Sequence, residues 1–322
     1  MRPIRFVTAA FGVALLTVAA TTTAAPLAYV PNQKSGSISV IDTATDNVVR
    51  TLTAQGRLGK RLQAIDADPR GNTLYVVDAE HDNLVAIDAA HDTIAHTVAI
   101  GKDAEGVRLA PGGKLLAVCA EGQHLVLFVD ARSFAITARI PVRGRNPEHC
   151  EFTPDGRWLL TSNEGSDNLD VIDVAARVSV ATIATSGHPR GAAFVPRTSH
   201  LYVAQEAANG VDVIDVAARK RIATIPTALR AAGVTASEDG KRVYVANGGA
   251  GSVSVIDVAA NAVVKEIAVG KRPWNMALTP DGRKLYVANG RSNSVSVIDT
   301  GKLAVIGEIP VGELPWGVLI TR

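Results

Sequence analysis

Seven residues of unlike chemistry stand 42 or 43 positions apart along the 322-residue chain: Gln63, Glu105, Glu148, Arg190, Ala232, Trp274 and Trp316. Two places before them stand Arg61, Asp103, Asn146, His188, Arg230, Arg272 and Leu314. Residues of these types move protons, bind anions, polarise carbonyls and stack against rings. Glu105, Glu148 and His149 could serve as acid, base or metal ligands while Arg190 or Arg230 stabilises an oxyanion, which is the equipment of a hydrolase. His149 and His188 could instead hold a tetrapyrrole together, and Trp274 and Trp316, each directly after a proline, could stack a quinone or a sugar. The plainer alternatives stay open: loops that diverge because nothing packs on them, histidines bonded within loops, and indoles lying flat over their own turns.

The elements that must position these residues are marked by a second period. An apolar run ends in aspartate at Asp42, Asp88, Asp130, Asp173, Asp215, Asp257 and Asp299, with spacings of 46, 42, 43, 42, 42 and 42. Strand-like repeats of about 40–45 residues indicate a β-propeller, because one blade cannot bury both of its faces. The clearest copy predicts strands over 274–279, 284–288, 294–298 and 304–310, with Pro280, Asp281 and Gly282 as a tight turn. The fold class is therefore all-β: seven four-stranded antiparallel blades. Strand one lines the axis, and the loops entering it share a funnel face with the loops between strands two and three. The seven aspartates fall on the opposite face and read as acceptors for turn amides. The first copy begins at strand two, Ala28 to Asn32, and the last residues, Leu314 to Ile320, match a strand one. The two termini then share the closing blade, which removes an open sheet edge.

Residues 1–25 differ: Arg2 and Arg5 precede an apolar run from Phe6 to Ala20 and small residues to Ala25, the pattern of a secretory signal. The expectation is a signal over 1–25 and one propeller over 26–322, exported or periplasmic, monomeric, without a membrane span in the mature chain. Of 33 basic residues two lie in that segment, leaving 31 against 31 acidic ones. A near-neutral chain lacks the basic footprint that nucleic acid requires. No Cys-x-x-Cys-His, His-x-His, His-Glu-x-x-His or Gly-x-Ser-x-Gly occurs, so covalent haem, zinc-hydrolase and serine-elbow chemistries lack their spacings, and no cofactor is evident. Cys119 and Cys150 come from regions that adjacent blades bring close; they form either a disulfide or two small buried apolar residues.

Tyr-Val-Ala-Asn at 244–247 and 286–289, with variants at 202–205 and 29–32, resembles the YVTN family of seven-bladed propellers over essentially the whole mature chain. Its last third is similar to exported propellers associated with pyrroloquinoline-quinone-dependent alcohol catabolism. That resemblance implies a non-enzymatic accessory protein that binds a protein partner or small ligand at the funnel face: Arg61, Gln63, Glu105, Glu148, His149, His188, Arg190, Arg230, Arg272, Trp274 and Trp316. Other propellers of this kind imply the alternatives: a lactonase-like hydrolase, a haem d1 or other tetrapyrrole binder, or a DNA-binding periplasmic protein.

Overall fold

The computed structural model describes residues 25–321, so the expected signal lies, but for its last residue, outside the described residues. These form seven four-stranded antiparallel sheets arranged in a ring, each blade's first strand packed beside the next. The strands of the clearest repeat run Pro273–Leu278, Lys284–Asn289, Ser294–Asp299 and Ala304–Pro310. Second and third strands are buried on both faces between neighbouring blades, whereas fourth strands are mostly exposed. Among the described residues no helix is long and apolar enough to cross a membrane.

The repeated residues act as fasteners. Asn289 ends a second strand and donates from Nδ2 to Ser294 Oγ at 3.2 Å and Ser296 Oγ at 2.8 Å, pinning the hairpin from inside. Asn247 does the same with Ser252 and Ser254 at 3.2 and 2.8 Å. Room for such a side chain comes from a glycine in the loop before strand one; a Cβ at Gly270 would stand 2.6 Å from Asn289 Cγ. The aspartates close turns: Asp299 Oδ1 accepts from the amides of Gly301 and Lys302 at 2.9 and 2.8 Å, and Asp42 Oδ1 from Ala44 and Thr45 at 2.8 and 3.1 Å.

The ring closes through its termini. Ala28 pairs with Ile320 and Tyr29 with Leu319, a bridge joins Asn32 to Pro315, and the Trp316 amide donates to Pro31 O at 2.9 Å. The gap between these pairs repeats a register shift of the other blades, for instance between Pro273 and Met276. Such a bulge inserts unpaired residues and re-aims their side chains. Here it leaves two positions, Trp274 and Asn275, unpaired.

Cys119, on the second strand of one blade, and Cys150, on the first strand of the next, form a disulfide with Cα atoms 6.3 Å apart. With its ends 31 positions apart in the chain, the loop-closure argument assigns it about 3–4 kcal/mol. Thermal melts with and without reductant should therefore differ by several degrees, and Cys119→Ala/Cys150→Ala should melt where the reduced protein does. Identical melting of the oxidised and reduced protein would refute this.

Candidate functional site

At one end of the axis the bulged first strands bring Gln63, Glu105, Glu148 and Arg190 from four successive blades into line. Gln33 Nε2 donates to Gln63 Oε1 at 2.7 Å, and Gln63 Nε2 to Glu105 Oε1 at 3.3 Å. Glu105 lies against Glu148, whose Oε1 is 2.8 Å from Arg190 Nη2 and 3.4 Å from His149 Nε2. Arg190 Nη1 continues to Glu164 at 3.2 Å and Glu206 at 3.7 Å. Glu206 also receives Arg230 at 2.7 Å and Arg272 at 3.3 Å. The result is a belt of linked acids and bases at the mouth.

Burial sets its electrostatics. Glu148 is fully buried and Glu105 partly so. Desolvation, followed by the charge of Glu148, pushes Glu105 up to about 8. Desolvation likewise pushes Glu148 up to about 8 against the pull of Arg190. Neither Glu148 oxygen has a hydrogen-bond partner of good geometry; a proton held between the two carboxyls supplies one and removes the repulsion of adjacent charges. Burial, then Arg190, pushes His149 down to about 4, so it is neutral near pH 7. Burial works against charge at Glu206 too, but Arg190, Arg230 and Arg272 outweigh it and hold Glu206 below the usual carboxylate range.

The outer ring is fixed by backbone conformation. Asp103, Asn146, His188, Arg230, Arg272 and Leu314 all have φ between 52° and 60°. Left-handed backbone is tolerated best by Asn, Asp and His and is uncommon for Arg and Leu. The repeated turn imposes it, and from this turn His188, Arg230 and Arg272 reach the carboxylates of Glu164 and Glu206. Arg61 does not share this conformation; it stands at the exposed rim, 3.3 Å from Asp103.

The two histidines and the two tryptophans singled out in the sequence have different surroundings. His188 lies between Glu164, which it pairs with closely, and Glu206 at 3.6 Å, while His149 sits deeper against Trp316, ring centroids 5.7 Å apart and tilted by 34°. Glu148, Arg190 and Glu164 stand between the histidines in one chain of ion pairs. Trp274 packs against the apolar cluster that contains Trp316. Trp316 is buried as a core residue, and Trp274 covers Gly290, with the Arg272 guanidinium 5.7 Å from its ring centre.

Glu164 and Glu206, central to the belt, were not among the sequence candidates. Both directly follow a second strand, at the position held elsewhere by Gln33, Ala79, Glu121, Gly248 and Gly290. That set is as unlike as the axial ring, and aligning blades on the end of strand two would have found it. Glu164, His188 and Glu206 place potential metal-ligand atoms within 4.8 Å of one another. Arg190, Arg230 and Arg272 already neutralise those carboxylates, so the belt is satisfied by the chain's own cations.

The belt lines the mouth on the face expected to carry the ligand funnel. The large cavity, about 600 Å³, lies at the other end of the axis among the turns that follow strand one. Of the eleven candidate residues only His149 and Trp316 line it, from its inner end.

Fold and mouth together define a closed seven-bladed propeller with a charged axial site. A family model described as "Lactonase, 7-bladed beta-propeller" matches residues 173–316. No curated protein has a significantly similar sequence. Among solved structures the chain is similar to a functionally unknown protein from Desulfotomaculum acetoxidans, 16% identical over 92% of this chain and 99% of that one, with a TM-score of 0.80. Kuenenia stuttgartiensis hydrazine synthase is 21% identical over 80% and 94%, with a TM-score of 0.72. Dihydro-haem d1 dehydrogenase NirN in complex with DHE is 15% identical over 91% and 74%, with a TM-score of 0.69.

Proposed function

We propose that the protein hydrolyses a small polar lactone at the axial mouth. The observation that carries this reading is the Glu105–Glu148 pair, two carboxyls raised to about 8 beside the Arg190 guanidinium. Glu105, the accessible member, takes a proton from water as its oxygen attacks the lactone carbonyl. The ring C–O bond breaks, and the same proton passes to the departing alkoxide, leaving a hydroxy acid. Arg190 supplies positive charge where the carbonyl oxygen becomes negative, and Gln63 orients Glu105. The match to a lactonase family model over residues 173–316 supports the reaction class. The polar belt favours a hydroxylated lactone over an apolar one. The signal-like first 25 residues and the Tyr-Val-Ala-Asn repeats suit an exported enzyme.

The base must be unprotonated, so activity should rise with pH through about 8, whereas a carboxylate base near the ordinary 4.5 would give a flat profile from pH 6 to 9. Hydrolysis of δ-gluconolactone by the purified protein, corrected for the spontaneous rate, checks this. Absence of turnover with several polar lactones, or a flat profile, would overturn it. The non-enzymatic accessory role would then account for the belt, provided the same residues change affinity for a ligand or partner.

A further inference from the structure

The cavity at the far end of the axis has a polarity of its own. We propose that it binds a small amphipathic carboxylate, with the acid group on Arg108 and the apolar body against the opposite wall. The first strands contribute one inward layer at this depth: Asp66, Arg108 and Glu151 from three consecutive blades, then Ala193, Thr235, Ala277 and Leu319 from the rest. Within that layer charge is confined to one arc, and the facing arc, extended by Phe194 and Leu278, is apolar but for Thr235; elsewhere the cavity is also lined by Ser162, Glu238, Asn275 and Thr279.

Arg108 is the group this arc presents. Its side chain is 41% exposed, Glu151 is 21% exposed, and both line the cavity, whereas Asp66 does not. One hydrogen bond, from Nη2 to Glu151, occupies a guanidinium that has five N–H donors. Asp66 is already used: its oxygens accept from the amides of Ala67 at 2.8 Å and Leu109 at 2.7 Å. Burial, only partly offset by Arg108, raises both Asp66 and Glu151 above the usual carboxylate range. The acids beside Arg108 therefore accept a proton more readily as an anion approaches. A carboxylate matches the planar fork with two parallel bonds, and the opposite wall takes up a short alkyl or aryl body by removing its surface from water. His149 and Trp316 lie between this cavity and the belt. The two sites are distinct, and this proposal does not depend on the hydrolase reading.

Calorimetric titration of the full-length protein with octanoate, octylammonium and octanol separates the possibilities. Octanoate should bind saturably and about tenfold or more tightly than either analogue, the size expected for a charged, bidentate hydrogen bond. Arg108→Gln should remove that preference. Should Arg108→Gln fail to fold because Glu151 and Asp66 lose their cation, Ala193→Phe tests the same site by filling the apolar side, and should weaken octanoate by about tenfold. The proposal fails if octylammonium binds as well as octanoate, if no saturable octanoate binding occurs, or if octanoate affinity is unchanged in the folded variants.

Discussion

Replacing Glu105 by Gln should lower kcat for a polar lactone by about a hundred- to ten-thousand-fold, the contribution usual for a positioned general base, with little change in KM. The substitution keeps the shape of the side chain and its contact with Gln63, and it imitates the protonated carboxyl that burial already favours. Folding should therefore survive. The linkage has a definite sign: folded-state pKa values near 8 exceed the ordinary 4.5, so the native protein binds more protons between those limits. Stability contributed by the protonated pair is complete below about pH 4.5 and is lost as pH rises through about 8. Glu105→Gln cannot lose its neutral form, so it should be at least as stable as the parent at pH 8–9. An unchanged kcat with an intact melting transition would remove Glu105 from catalysis. A melting temperature far below the parent's at pH 8 would show that the carboxyl is held ionised.

Deleting residues 314–322 should be the most destructive small truncation of the chain. It removes the inner strand of the closing blade, the pairs Ala28–Ile320 and Tyr29–Leu319, and three backbone bonds: Gln33 N to Leu314 O at 3.0 Å, Trp316 N to Pro31 O at 2.9 Å and Thr321 N to Leu27 O at 3.1 Å. It also removes Trp316 from the cluster that includes Ala64, Ala104 and Tyr75. Loss of a buried tryptophan alone costs about 3–5 kcal/mol, a large part of the roughly 5–15 kcal/mol that separates folded from unfolded domains. A fall in melting temperature of roughly 10–20 °C is expected. Aggregation should accompany it, because Leu27–Asn32 becomes an open edge. Trp316→Phe, which keeps the strand, should lose much less. A truncated chain that melts within a few degrees of the parent would mean that the ring does not depend on this closure.

The propeller was legible because its scaffold repeats. Asn289 with Ser294 and Ser296, or Asp299 with the two amides that follow it, are contacts within one hairpin or turn. A local period reports such contacts faithfully. The unlike axial ring was legible too, as a break in that period, and Glu105, Glu148, Arg190, Arg230 and Arg272 do meet in one belt. Glu164 and Glu206 were overlooked although their position after strand two was readable. Whether His149 and His188 would share a ligand was open in the sequence; in the structure they are joined only through Glu148, Arg190 and Glu164, contacts that no spacing announces.

By itself, the sequence determined the blade, its number, its turns and the way the termini complete the last sheet. It also determined which positions escape the repeat. Only the tertiary structure decided that Arg272 reaches Glu206, 66 residues away, that two carboxyls share a buried place, and that the open cavity lies at the far end of the axis from the charged belt. The physical reason is that hydrogen bonds within a hairpin depend on neighbours in the chain. Desolvation, charge pairing and empty volume depend on neighbours in space, and these exist only once seven blades have closed around one axis.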